Sequence, residues 1–198
     1  MSAGRGAAQI GPNAISQVAR ALEGALGQES ARDLLGHAGL GAYADDLPCR
    51  MVDENEVIAL HSAVRSRLEP KAARDVARAA GIATGDYLLA HRIPRLAQRL
   101  LHVSPAPLAS RVLLAAIARH SWTFAGSGHF EAHAGRPVAI SIADCPICRG
   151  ALAAQPLCDY YAATFTRLYA RLVHPRAWTR ETECMAAGAP ACRFVIDW

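Results

Sequence analysis

The chain has 198 residues, 52% of them hydrophobic and 19% charged, with a formal net charge of +4. This content can bury a sizeable core, excludes wholesale disorder and suits one domain. No apolar run approaches the ~18 residues of a membrane span, and no nucleic-acid-binding motif occurs.

Residues 1–9 are expected to be a flexible N-terminus, followed by a single domain over 10–198. The opening stretch MSAGRGAAQIGPNAIS lacks the apolar core of a signal peptide, which predicts a cytoplasmic chain. Ile15, Val18, Leu22 and Leu26 recur at helical spacing. Asp53 is placed to cap a helix, with Glu56 three residues on to complete a capping box. Val57, Leu60, Val64 and Leu68 form its apolar stripe, and Pro70 follows. A further helix is expected over 71–80, stopping at Gly81, and another over 85–101, broken or restarted at Pro94. Ser104 and Pro105 open a helix reaching His120. Arg65, Arg67, Arg74, Arg78, Arg92, Arg95 and Arg99 are spread along these helices, either a solvated face or a surface for an acidic ligand.

After His120 the pattern changes. Segment 121–131 (SWTFAGSGHFE) reads as a strand with a bulge at its glycines, and Val138, Ile140 and Ile142 alternate along a second. Leu157, Tyr161, Phe165, Leu168 and Leu172 return to helical spacing. Segment 177–183 is extended, and Cys192, Phe194, Ile196 and Trp198 alternate along a last strand. The expected fold class is therefore α+β: a helical part over 10–120, then a small antiparallel sheet in the order strand–strand–helix–strand–strand over 121–198.

Five of the six cysteines, Cys145, Cys148, Cys158, Cys184 and Cys192, fall in the last 54 residues. Two thiolates spaced as Cys145-x-x-Cys148 can ligate one ion from a tight turn, and Cys158, Cys184 and Cys192 are available to complete a tetrahedral zinc site. Buried free thiols and a Cys184–Cys192 disulfide are the competing readings.

One stretch is specific beyond its composition. PLCDYYAATFTRLYARLVHPRAWTRETECMAAGAPACRFVI carries a Cys at a helix start (Cys158), then E-x-x-C (Glu181, Cys184), then Gly188, then C-x-F (Cys192, Phe194). That set resembles the signature of the 4-vinyl-reductase domain. DYLLAHRIP (86–94) and HSWTFAGSG (120–128) resemble the bacteriochlorophyll-pathway branch of that family, so the likeness spans roughly residues 10–198. The resemblance implies an α+β fold similar to small-molecule-binding and vesicle-tethering relatives, often dimeric, with hydrocarbon-like or tetrapyrrole ligands and zinc in some members. It further implies a (magnesium) tetrapyrrole intermediate as ligand or substrate, and the magnesium chelatase and methyltransferase of the pathway as partners. It implies a homodimer, located in the cytoplasm or peripheral to the photosynthetic membrane.

The family is named for reduction of a vinyl group, which needs an electron donor. The glycine-dense stretch GHAGLG (36–41) has the wrong order for a dinucleotide fingerprint and follows no strand. No P-loop or ferredoxin-type cysteine run occurs. A binding or carrier role is thus favoured over catalysis, with a true 8-vinyl reductase and a ligand-free dimerisation adaptor as alternatives. For a magnesium tetrapyrrole the candidate residues are His91 and His129 as axial donors, Arg92 for carboxylates, Trp122 and Phe124 as walls, and Glu181 as an orienting carboxylate. Plain strand packing competes for Trp122 and Phe124, and surface salt bridging for Glu181.

Overall fold

The computed structural model describes residues 8–198, so most of the segment expected to be flexible, 1–7, lies outside the described residues. The order of elements is β1 (Gln9–Ile10), α1 (Asn13–Leu26), α2 (Gln28–His37), β2 (Val52–Asp53), α3 (Glu54–Arg67), α4 (Pro70–His91), α5 (Arg95–Val103), α6 (Ala106–Arg119), a one-turn α7 (Trp122–Ala125), β3 (His129–His133), β4 (Val138–Ala143), α8 (Asp159–Leu172), β5 (Trp178–Glu183) and β6 (Cys192–Asp197). This is the α+β class with the expected strand–strand–helix–strand–strand ending. No helix of the described residues is long and apolar enough to cross a membrane.

The four-stranded sheet runs β3-β4-β6-β5, each neighbouring pair antiparallel. Alternation works here as elementary geometry requires: Val138, Ile140 and Ile142 of β4 and Cys192, Phe194 and Ile196 of β6 are buried on one face, with more exposed residues between them. That face is covered by α8, whose Tyr161, Phe165, Leu168, Tyr169 and Leu172 lie on its inner side. β1 and β2 form a separate two-stranded ribbon that brings Ile10 beside Val52.

Helix α3 begins as expected, with the Asp53 carboxylate accepting the Asn55 N–H at 2.8 Å. Glu56 does not close a capping box; it accepts the Tyr43 hydroxyl at 2.9 Å. Pro94 does separate two helices, α4 and α5.

Two expectations are corrected. The chain does not stop its helix at Gly81: α4 runs unbroken through Gly81 and Gly85. A Cβ on Gly81 would lie 2.3 Å from the Tyr160 carbonyl oxygen, and one on Gly85 would lie 2.7 Å from Arg167 Cβ. These glycines exist to let α4 and α8 touch, which overrides their poor helix propensity. Nor is 121–131 one strand. Ser121 O accepts the N–H groups of Phe124 and Ala125, which closes the turn of α7, and Gly126 (φ 58°) redirects the chain into β3. The period-two spacing of Trp122 and Phe124 is coincidental: Trp122 is 59% exposed, while Phe124 packs edge-on against Phe130, Tyr161 and Phe165.

Candidate metal centre and the surfaces around it

Five cysteines converge on one corner of the sheet. Cys145 and Cys148 come from the loop after β4, Cys158 immediately precedes α8, Cys184 follows β5, and Cys192 opens β6. All five are buried, whereas Cys49 is exposed. The Sγ–Sγ distances are 3.7 Å for Cys145–Cys158, 3.3 Å for Cys148–Cys192, 3.7 Å for Cys158–Cys192 and 3.8 Å for Cys184–Cys192. A disulfide needs about 2.05 Å, whereas the edge of a zinc tetrathiolate tetrahedron built on bonds of about 2.3 Å is about 3.8 Å. The spacing is that of ligands around an ion.

Two donor sets have all ligand atoms within 4.8 Å of one another: Cys145, Cys148, Cys158 and Cys192, and Cys158, Glu181, Cys184 and Cys192. Glu181 enters from β5. One of its carboxylate oxygens accepts the Cys158 N–H at 2.7 Å; the other, Oε1, is buried without a partner. Burial pushes the Glu181 pKa up to about 8, against the opposing pull of the Cys158 amide. A cation in the corner would supply the missing partner and return the group to its anionic form.

The sulfurs also perturb one another. The hydrogen bond with Cys145 leads the causes that hold Cys148 below the ordinary thiol range and push Cys158 and Cys192 above it. Once one sulfur is anionic its neighbours resist ionising. Cys158 sits at the N-cap of α8, where the helix dipole favours negative charge. Backbone amides approach sulfur as well: Met185 N–H donates to Cys192 Sγ at 3.5 Å, and Cys145 N–H to Met185 Sδ at 3.3 Å.

The surrounding shell was not visible in sequence spacing. Arg65 of α3 reaches across to donate to the Ile147 carbonyl at 2.7 Å, inside the Cys145–Cys148 loop. Burial lowers the Arg65 pKa and the neighbouring thiols, Cys148 foremost, oppose that shift. On the outer side of the same loop, Arg149 pairs with Glu54 at 3.0 Å. Glu54 also accepts the Ser127 N–H at 2.8 Å and the Ser127 hydroxyl at 2.7 Å. Burial alone would raise Glu54, but the Ser127 amide and hydroxyl and Arg149 outweigh it and hold the carboxyl below its usual range. These partners are 73 to 95 residues from Glu54 along the chain, so no local motif marks them.

The candidate ligand-binding residues are dispersed, Glu181 excepted. His91 ends α4, exposed, with its ring tilted against Tyr87 at 4.8 Å; Arg92 follows it, also exposed. Trp122 projects from α7, and Phe124 belongs to the aromatic core. His129 opens β3 on the surface beside Glu131 at 3.3 Å. The tyrosines of α8 are satisfied in the core: Tyr161 donates to Phe124 O at 2.6 Å, Tyr160 pairs with Thr84 Oγ1 at 2.9 Å, and Ser110 Oγ lies 3.5 Å from the Tyr169 hydroxyl.

A different surface stands out. Helix α5 has a pronounced apolar stripe yet buries only Leu101 fully. Leu96, Leu100 and Val103 on α5 are 68%, 58% and 79% exposed, and Leu108 and Val112 on α6 are each about half exposed. Arg92, Arg95, Arg99 and Arg111 are exposed along the same two helices and their entry. At the far end of α6, a hollow of about 200 Å³ is lined by Pro107, Ser110, Arg111, Gly135, Arg136 and Trp198. That is below the ~300–1,000 Å³ of enclosed small-molecule sites, so a macrocycle would have to lie on the surface or between surfaces.

The 4-vinyl-reductase domain family matches residues 138–197, the span that supplies all five clustered cysteines and Glu181. The bacteriochlorophyll synthase 23 kDa chain of Cereibacter sphaeroides is 49% identical over 188 residues, covering 95% of this chain and 90% of that one. The protein of the same name from Rhodobacter capsulatus is 38% identical, covering 95% and 86%. Among solved structures, an H-NOX protein from S. oneidensis aligns with a TM-score of 0.56 at 13% identity over 95% of this chain and 98% of its own. The phenol-responsive sensory domain of the transcription activator PoxR aligns at 0.52 with 16% identity, over 76% and 78%. At such identities the shared feature is the fold.

Proposed function

Because the chain belongs to the family of the bacteriochlorophyll synthase 23 kDa chain, we propose that it is an accessory protein of bacteriochlorophyll synthesis that binds a magnesium tetrapyrrole intermediate and presents it to the enzymes of that pathway, the magnesium chelatase and the methyltransferase among them. The observation that carries the reading on this chain is the open face of α5 and α6, where Leu96, Leu100, Val103, Leu108 and Val112 are left in water. Exposed apolar area of this kind marks a surface built to be covered. A tetrapyrrole presents a flat apolar ring and carboxylates. Arg92, Arg95 and Arg99 are cations suited to those carboxylates, and His91 is an imidazole available as axial donor. Among the described residues, the hydroxyls of Tyr160 and Tyr161 are buried and engaged, which favours carriage over proton delivery to a vinyl group.

The cysteine corner has a separate, structural role in this reading. Cys158, Glu181, Cys184 and Cys192 hold a zinc ion that ties β5, β6 and the start of α8 together. The orphaned Glu181 Oε1 supports that set.

The decisive test is an absorbance titration of the full chain with magnesium protoporphyrin and with divinyl protochlorophyllide, with and without NADPH, followed by product analysis. A saturable spectral shift with the vinyl group intact is expected, weakened in Leu100→Gln and altered in its axial-ligand bands in His91→Ala. Conversion of vinyl to ethyl by protein and NADPH alone would establish a reductase instead. Spectra that do not move would leave the dimerisation adaptor as the better reading.

A further inference from the structure

The corner contains more donors than one tetrahedral ion can use. Five thiols and one carboxylate fall into two four-membered sets, and the two sets have Cys158 and Cys192 in common. Two tetrahedral ions require eight coordination positions between them. Six donors fill eight positions only if two of them bridge, and the two residues shared by the sets are the pair that must do so. Their separation, 3.7 Å, is the edge that two such tetrahedra would have in common. Cys145 and Cys148 then complete one ion, and Cys184 with Glu181 completes the other.

Charge points the same way. A single divalent ion under one four-membered set leaves two further acidic donors crowded against it in a buried space. Two divalent ions under five thiolates and one carboxylate leave the same residual charge as one ion under four thiolates. Arg65, held against this loop through Ile147 O, offsets part of it. The bridging positions belong to protein sulfurs, so no inorganic sulfide is needed.

We propose that the cysteine corner is a binuclear centre for two divalent ions of the zinc class, bridged by the thiolates of Cys158 and Cys192. This rests on the metal reading above and adds a second ion to it. The Cys145-x-x-Cys148 loop is thereby a ligand of that ion and not merely a buried turn. Both ions are exchangeable for cadmium, which binds thiolate sites of the same kind.

The experiment is metal analysis of the full chain purified without chelator, with cadmium-113 NMR of the cadmium-exchanged protein. Two ions per chain and two cadmium resonances coupled through the shared sulfurs are expected. The double variant Cys145→Ser/Cys148→Ser should keep one ion, Cys184→Ser should keep one, and Cys192→Ser should lose both. One ion and one resonance in the wild-type chain, retained in the double variant and lost in Cys184→Ser, would overturn the binuclear centre while leaving the single zinc site intact. No ion, with all five buried thiols titrating with a thiol reagent after denaturation, would sink both. The wild-type spectrum decides the count of ions even where a variant fails to fold.

Discussion

The seam between α4 and α8 and the outer pair α5–α6 are made from similar material, alanine- and leucine-rich helices with arginines at intervals, yet they end in opposite states. The seam is so close that glycine is required at Gly81 and Gly85, and it buries Thr84, Tyr160 and Thr164 with their hydroxyls engaged. The outer pair leaves five large apolar side chains in water. The amphipathic stripe of α5 is the more regular pattern, and it is the one left open. An apolar stripe thus states that a face is to be covered but not by what, and small residues, not large ones, mark where two helices of this chain meet.

The largest break of that contrast is Gly81→Ala. On helix propensity alone it should stabilise by about 1 kcal/mol. The added Cβ meets the Tyr160 carbonyl oxygen at 2.3 Å and Ala163 Cβ at 2.9 Å, so a net loss of about 3 kcal/mol is expected in urea melts.

The next effect is a pH dependence. His61 of α3 is buried edge-on against Tyr160, its Nε2 without a partner, and burial followed by the neighbouring Arg65 charge lowers its pKa to about 3. A base whose folded pKa lies below its unfolded value loses stability as pH falls through the unfolded value near 6.5, because the unfolded chain takes the proton first. Between pH 7.5 and pH 5 this one group should remove about 2 kcal/mol. His61→Leu should lose that increment, read as the difference between melts of the two proteins at both pH values.

Thr84→Val is milder. It keeps the shape of the seam but leaves the Tyr160 hydroxyl without its partner, so about 1 kcal/mol should be lost. The smallest effect sharpens the comparison from the open side. Leu100→Gln should change stability by no more than about 0.5 kcal/mol, as surface substitutions do. Its cost should fall on pigment binding instead. A loss of stability comparable to that of Gly81→Ala would mean that α5 is packed in solution and that the open face is not a binding surface.

What the sequence by itself determined are the features governed by local periodicity. The alternations in β4 and β6, the α8 stripe, the Asp53 cap and the break at Pro94 follow from backbone geometry acting over a few residues, and each is found in place. The 4-vinyl-reductase signature set of Cys158, Glu181, Cys184 and Cys192 was legible too, as a pattern. Tertiary structure alone decided which cysteines share an ion's volume, that Glu181 joins them while His91, Arg92, Trp122 and His129 stay on the surface, and that Arg65 and Arg149 flank the same loop. It also decided that Gly81 is a contact and not a stop, and that Trp122 and Phe124 lie on a helical turn. The reason is one of range. Periodicity reports which way a side chain points along its own element, whereas ligation, ion pairing and helix contact depend on elements brought together from far along the sequence, a distance across which this chain carries no local signal.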